Sequence, residues 1–197
     1  MKIVVRNSGG RNIDKLIANI PGLIVVCDGK NAWDSFIDAL TLVGDEATVQ
    51  MEDDAELCDG FYEQLTAIVD EFPDNVINFF SRRIDDERIG TRYIGGAAFN
   101  YNICYYLPKG MAKEIVEFSK TWDKHDIHPT GTDLVIADYL SLKGLNYLNI
   151  VPPLVQHAEG KSIIDSRRSS RRQSKMFRQD RKEFCNSKDG LLWRNIK

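Results

Sequence analysis

The chain is predicted to adopt an α/β fold, a mostly parallel mixed sheet flanked by helices with a basic C-terminal tail. Three observations point there. Short apolar runs alternate with segments of helical spacing through the first 80 residues. Acidic residues fall where two of the early strands end, the place where ligands bind in such sheets. Across all 197 residues, hydrophobic content is 43% and charged content 28%, as in an ordinary globular domain.

Each element follows from a local pattern. Lys2–Arg6 reads as a strand, Asn7-Ser8-Gly9-Gly10 as a turn, and Asn12–Ala18 has helical spacing. Leu23–Val26 is a second strand, ending at Asp28-Gly29. Trp33, Phe36, Ile37 and Leu40 then recur as one helix face. Ala47–Met51 is a third strand; Phe61, Leu65, Ile68, Val69 and Phe72 mark a third helix; Val76–Phe80 is a fourth strand. The run Tyr93–Tyr106 is dense in strand formers and holds two strands, with Gly95-Gly96 permitting a bend or a close approach. Pro108 opens a helix filled by Ala112, Ile115, Val116 and Phe118, and Trp122–Pro129 is a loop. Thr130-Gly131-Thr132-Asp133 caps a helix running to about Lys143. Asn146–Val151 is a late strand, stopped by Pro152-Pro153. Trp33, Phe79, Phe80 and Phe99 are assigned to the core.

The charge is unevenly distributed. Residues 1–160 carry 14 Lys+Arg against 25 Asp+Glu, a net of −11; residues 161–197 carry 12 against 4, a net of +8. We therefore divide the chain into a main α/β domain, 1–162, and a basic extension, 163–197, with helical spacing and a weak apolar face, packed on the same domain. The extension is a partner signal, or it folds back on the acidic body, or it clamps the phosphates of a small ligand. No apolar run approaches the roughly 20 residues of a membrane span. The start Met1-Lys2-Ile3-Val4-Val5-Arg6 reads as a strand rather than a signal peptide. Cys27, Cys58, Cys104 and Cys185 are far apart with no CxxC pair, which argues against structural zinc or a disulfide framework and for reduced thiols in the cytoplasm.

Chemistry concentrates in three places. Met51-Glu52-Asp53-Asp54 puts three consecutive acids at a strand end, where like charges repel unless a cation joins them. Mg²⁺ or Mn²⁺ prefers such carboxylates and also takes phosphate oxygens, so Glu52-x-Asp54 suggests a metal–diphosphate site. The alternative is that Asp53, Asp54 and Glu56 decorate a loop and the first turn of a helix, where the dipole favours acids. Second, Asp133 is a carboxylate at a helix start, or simply its cap. Third, Pro153-Leu154-Val155-Gln156-His157 precedes Gly160-Lys161-Ser162. Neutral imidazole suits Mn²⁺ beside carboxylates, and Lys161 and Ser162 are donors suited to phosphate. This Gly-Lys-Ser lacks the glycine spacing of a P-loop.

Glu-Asp-Asp after a strand, the Phe61-Tyr62 helix behind it and the late Pro-Leu-Val-x-His resemble the GT-A glycosyltransferases, whose sheet is Rossmann-like. The likeness is to small bacterial and phage enzymes related to lipooligosaccharide-type sugar transferases, and it covers roughly residues 2–162. Asp28-Gly29-Lys30 followed by Trp33 and a helix resembles their nucleotide-binding half. The resemblance implies that Asp54 and His157 hold Mn²⁺ or Mg²⁺. It implies that Asp28, Glu52, Asp53, Lys161 and Ser162 contact a nucleotide-sugar donor, UDP-sugar being favoured, and that Asp133 is the base. Glu52 replaces the family's first Asp.

The basic residues Arg167, Arg168, Arg171, Arg172, Lys175, Arg178, Arg181 and Lys182 would lie mostly on one broad helical face. Arginine delivers bidentate donors to phosphate, so Arg167, Arg168, Arg171, Arg172, Lys175 and Arg178 are candidate nucleic-acid contacts. A sugar-transfer site beside such a tail suggests an acceptor in DNA, as in phage enzymes that glycosylate hydroxymethylated bases, acting in the host cytoplasm. Alternatives are a cell-envelope saccharide as acceptor, a nucleotidyltransferase, and a non-catalytic nucleic-acid-binding protein.

Overall fold

The structure, a computed structural model, describes residues 1–27, 31–158 and 172–180. Strand β1 (Lys2–Asn7) is buried on both sides: Ile3 and Val5 face one core cluster and Val4 the other. It lies between β2 (Ile24–Cys27) and β3 (Thr48–Glu52), parallel to both. Helix α1 (Asp14–Asn19) joins β1 to β2, and α2 (Ala32–Val43) joins β2 to β3. The α2 ends are set by residue type. The Asn31 side chain accepts from the Trp33 and Asp34 amides, and Gly44, at φ 59°, turns the chain out of the helix.

After β3, a two-residue turn leads into β4 (Ala55–Leu57), and α3 (Phe61–Glu71) follows. Then come β5 (Val76–Asn78), α4 (Asp86–Ile89), β6 (Arg92–Gly95), β7 (Cys104–Leu107), α5 (Met111–Ser119), α6 (Thr132–Leu142), β8 (Asn146–Asn149) and β9 (Val155–His157). Among the described residues seven strands form one sheet, β2-β1-β3-β7-β5-β8-β6, and β4 and β9 form a separate ribbon. α1 and α3 pack on one face, and α2, α5 and α6 on the other.

The α/β class and the helix-flanked mixed sheet are as the sequence predicts. The parallel share is smaller than the alternation suggests: β1–β2, β1–β3 and β5–β8 are parallel, whereas β3–β7, β5–β7 and β6–β8 are antiparallel. β6 and β7 both run opposite to the other five strands; β7 is inserted between β3 and β5, and β6 closes the edge on β8. Pro108 does not open α5. It accepts the Met111 amide in a turn completed by Gly110 at φ 85°. Gly96 proves structural, because a Cβ there would lie 2.6 Å from the Leu145 carbonyl oxygen and against Leu140 of α6.

Phe79, Phe80 and Phe99 are core residues as expected, while Trp33 is half-buried and stacks on Trp122 with centroids 5.3 Å apart. Trp122 Nε1 donates to Asp138 Oδ2 at 2.8 Å, and Lys124 Nζ donates to the same oxygen at 2.7 Å. These bonds fasten the loop that leads into α6. Burial alone would raise the Asp138 pKa, but the bonds from Lys124 and Trp122 outweigh it and hold the value below the ordinary 3.8. Below that ordinary value the unfolded chain takes up a proton that the folded chain resists. The contribution is therefore present at neutral pH and lost as pH falls toward and below 3.8. Urea midpoints of wild type and Asp138→Asn should converge as the pH is lowered through this range, and a gap that stays constant would contradict the assignment.

Candidate active site at the Asp54–His157 pair

Asp53 and Asp54 form the turn between β3 and β4. The first residue of β4, Ala55, pairs with His157 of β9, and the Ala158 amide donates to the Asp54 carbonyl at 2.8 Å. The ribbon therefore joins two segments a hundred residues apart in sequence. His157 Nε2 lies 3.2 Å from Asp54 Oδ2, and the two side chains are 5% and 8% exposed.

The loop after β1 encloses the acids. The Ser8 amide and Oγ both donate to Asp53 Oδ2, at 2.8 and 2.6 Å. Arg11 forms an ion pair with Asp54 and reaches Asp53 Oδ1 at 3.4 Å. Glu52 is directed elsewhere. It sits in register with Arg6, whose Nη2 donates to it at 3.3 Å, and the Arg6 guanidinium also lies over the Phe36 ring at 5.7 Å.

The protonation of His157 is the informative detail. Burial pushes its pKa down. The Ala158 carbonyl opposes this, Arg172 adds to it, Glu52 opposes it and Arg11 adds to it, leaving the value below 6.5 and the ring neutral at pH 7. Nδ1 lies 2.8 Å from the Ala158 carbonyl, which only accepts, so Nδ1 carries the hydrogen. Nε2 then presents a lone pair to a carboxylate oxygen. Two acceptors that face each other this closely require a cation between or beside them. Two arginines serve that role in the chain itself: Arg11, ion-paired to Asp54, and Arg172, whose Nη1 lies 3.2 Å from Nε2. Asp54 Oδ1 is buried and has no hydrogen-bond partner among the described residues.

This arrangement fits a divalent metal with two protein ligands, Asp54 oxygen and His157 Nε2, the remaining positions being left for substrate phosphate and water. Among the described residues no group of three or more His, Cys, Asp or Glu side chains is placed to hold a metal. Beside the pair opens a cleft of about 1200 Å³, lined by Arg11, Lys15, Asp53, Asp54, Asp59 and Gln179 among others. It lies at the C-terminal ends of the parallel strands β1 and β3, where α/β sheets bind ligands.

The other expected residues are less closely joined. Asp133 stands in the first turn of α6, on the sheet face opposite α3, and its carboxylate makes no hydrogen bond or ion pair among the described residues. It shares a neighbour with Glu52: burial foremost, then the charges of Glu52, Cys104 and Asp133, push the pKa of the buried Tyr105 hydroxyl up, against Arg6. Thr132 does not cap α6; its Oγ1 lies 2.6 Å from Asn102 Nδ2 and accepts from it. Asp28, Lys161, Ser162, Arg167, Arg168 and Arg171 lie outside the described residues, as do Arg181 and Lys182.

Two expectations are corrected. Asp53, Asp54 and Glu56 do not decorate a helix start, because β4 and a turn separate them from α3 at Phe61. Residues 172–180 are not a helix, so Arg172, Lys175 and Arg178 do not share a helical face. Lys175 and Arg178 are exposed, whereas Arg172 turns inward to His157. Ser8 and Arg11 went unrecognised in the sequence. Their signal was the Asn-Ser-Gly-Gly-Arg run directly after the first strand.

No family model matches this chain. No curated protein matches it either. A solved structure described as the crystal structure of A197 from STIV is similar, with a TM-score of 0.50 at 13% identity over 79% of this chain and 84% of that one. At that identity the likeness shows the fold alone. No helix among the described residues is long and apolar enough to cross a membrane.

Proposed function

We propose that the chain is a metal-dependent glycosyltransferase that moves a sugar from a nucleoside diphosphate sugar, UDP-sugar favoured, to an acceptor hydroxyl. The supporting observation is the Asp54–His157 pair, two buried acceptors turned on each other at a strand end beside a large cleft. A divalent ion bound there would offset the negative charge that develops as the diphosphate leaves.

The remaining roles belong to the chain's own side chains and backbone. Ser8 fixes Asp53, and with it the turn that aims Asp54. The Ala158 carbonyl fixes the His157 tautomer that leaves Nε2 able to ligate. Asp133 would accept the proton of the acceptor hydroxyl. A thermal-shift panel tests the reading. A UDP-sugar should raise the melting temperature only when Mn²⁺ is present. No shift with any nucleotide, with or without the ion, would overturn it.

For the acceptor we propose DNA. Its support is the +8 charge of residues 161–197 and the exposure of Lys175 and Arg178. Arg172 is not counted toward it. A gel shift at low salt should show affinity for duplex DNA that falls steeply with salt. Absence of binding would leave a saccharide as the acceptor.

A further inference from the structure

Residues 172–180 lie along the β4–β9 ribbon and are pinned at two points. The Ser174 amide donates to Gln156 Oε1 at 2.8 Å, and Gln156 Nε2 donates back to the Ser174 carbonyl at 3.0 Å. Farther on, the Asp59 amide donates to the Gln179 carbonyl at 2.8 Å, and Gln179 Nε2 reaches the Leu57 carbonyl and Asp59 Oδ1. Phe177 packs on the core between these anchors. The first anchor lies two residues from Arg172, so the guanidinium is delivered to His157 Nε2 by a fastened segment.

A guanidinium stays charged at any relevant pH and has no acceptor of its own. At His157 it uses the one lone pair that a metal would need. Metal and Arg172 therefore compete for Nε2. A guanidinium displaced from Nε2 can donate in bidentate fashion to phosphate oxygens brought to the same position.

We propose that Arg172 is a substrate-binding residue that occupies the metal position of the unliganded chain and transfers to the diphosphate of the bound donor. This rests on the metal reading of Asp54 and His157. It predicts effects of opposite sign from one substitution. Arg172→Ala should bind Mn²⁺ alone about tenfold more tightly, because a competing charge-assisted hydrogen bond is gone. The same variant should bind pyrophosphate in the presence of Mn²⁺ about tenfold more weakly, because a phosphate contact is gone. Arg172→Lys keeps the charge and should fall between wild type and Arg172→Ala in both titrations. Lys109→Ala, exposed just past the end of β7 that pairs with the start of β3, away from Asp54, should leave Mn²⁺ affinity unchanged.

Mn²⁺ binding read by electron paramagnetic resonance and pyrophosphate binding read by calorimetry separate the cases. No Mn²⁺ binding by wild type or Arg172→Ala would defeat the metal reading itself. Mn²⁺ binding that Arg172→Ala leaves unchanged or weakens would defeat the competition while the metal reading stands. Tighter Mn²⁺ with unchanged pyrophosphate would defeat the transfer to the donor.

Discussion

Asp54→Asn should abolish the Mn²⁺-dependent stabilisation of the protein by a nucleotide-sugar while leaving the fold intact. The amide matches the carboxylate in shape but lacks the charge that makes it a hard-cation ligand. For wild type with ligand at a hundred times Kd, mass action predicts about 2.7 kcal/mol of stabilisation. For a chain of this size that is a rise of about 5–10 °C in Tm. The variant should show none of it. Its metal-free stability should fall by about 1–2 kcal/mol, because Arg11 loses one ion-pair partner but keeps Asp53. A full Mn²⁺-dependent shift in Asp54→Asn would remove Asp54 from the metal site. The matching Glu52→Gln should keep a substantial part of the shift, since Glu52 is held by Arg6 rather than directed at His157.

A second large effect is expected far from the cleft. Asp86 begins α4 with a side chain only 1% exposed, and Arg92 Nη1 approaches its carboxylate at 3.2 Å. Arg92 also donates to the Gly90 carbonyl at 2.9 Å and lies opposite Asn149 across the β6–β8 pairing. Arg92→Met keeps the bulk of the stem but leaves a buried carboxylate without this partner. Removing one member of such a pair costs about 3 kcal/mol, against less than 1 kcal/mol for an exposed pair. Denaturant unfolding should show that loss, with Tm down by about 6–12 °C. Adding Asp86→Asn to Arg92→Met should recover part of it, since the buried charge goes with its partner. A loss below about 0.5 kcal/mol would mean the pair behaves like a surface contact.

The fold was legible where the sequence repeats a physical pattern. The β1–α1–β2–α2–β3 alternation and the a-turn-apart apolar residues of α2 and α3 emerge from spacing alone. β4 and β9 did not, because three-residue strands are too short to show alternation. That gap concealed the device that assembles the site. Asp54 and His157 were each visible as residue types at strand ends, but their contact depends on the Ala55–His157 pairing, which nothing local announces. Arg172 was visible only as one charge in a basic run. Its turn toward His157 depends on the Gln156–Ser174 bonds, a tertiary contact between two polar residues with no periodic signal. Ser8 and Arg11 were within reach of the sequence reading, since a glycine-rich turn directly after a first strand is a ligand-facing position in this class of sheet.

The central claim is sugar transfer from a nucleoside diphosphate sugar by a metal held at Asp54 and His157. Its most direct test is to incubate the protein with UDP-sugars and Mn²⁺, in the presence and absence of duplex DNA, and identify the released products. Wild type should release free UDP, with the sugar moved to an acceptor hydroxyl or to water, and Asp54→Asn should release none. Release of pyrophosphate from a nucleoside triphosphate, with every UDP-sugar left intact, would contradict it and assign the site to nucleotidyl transfer.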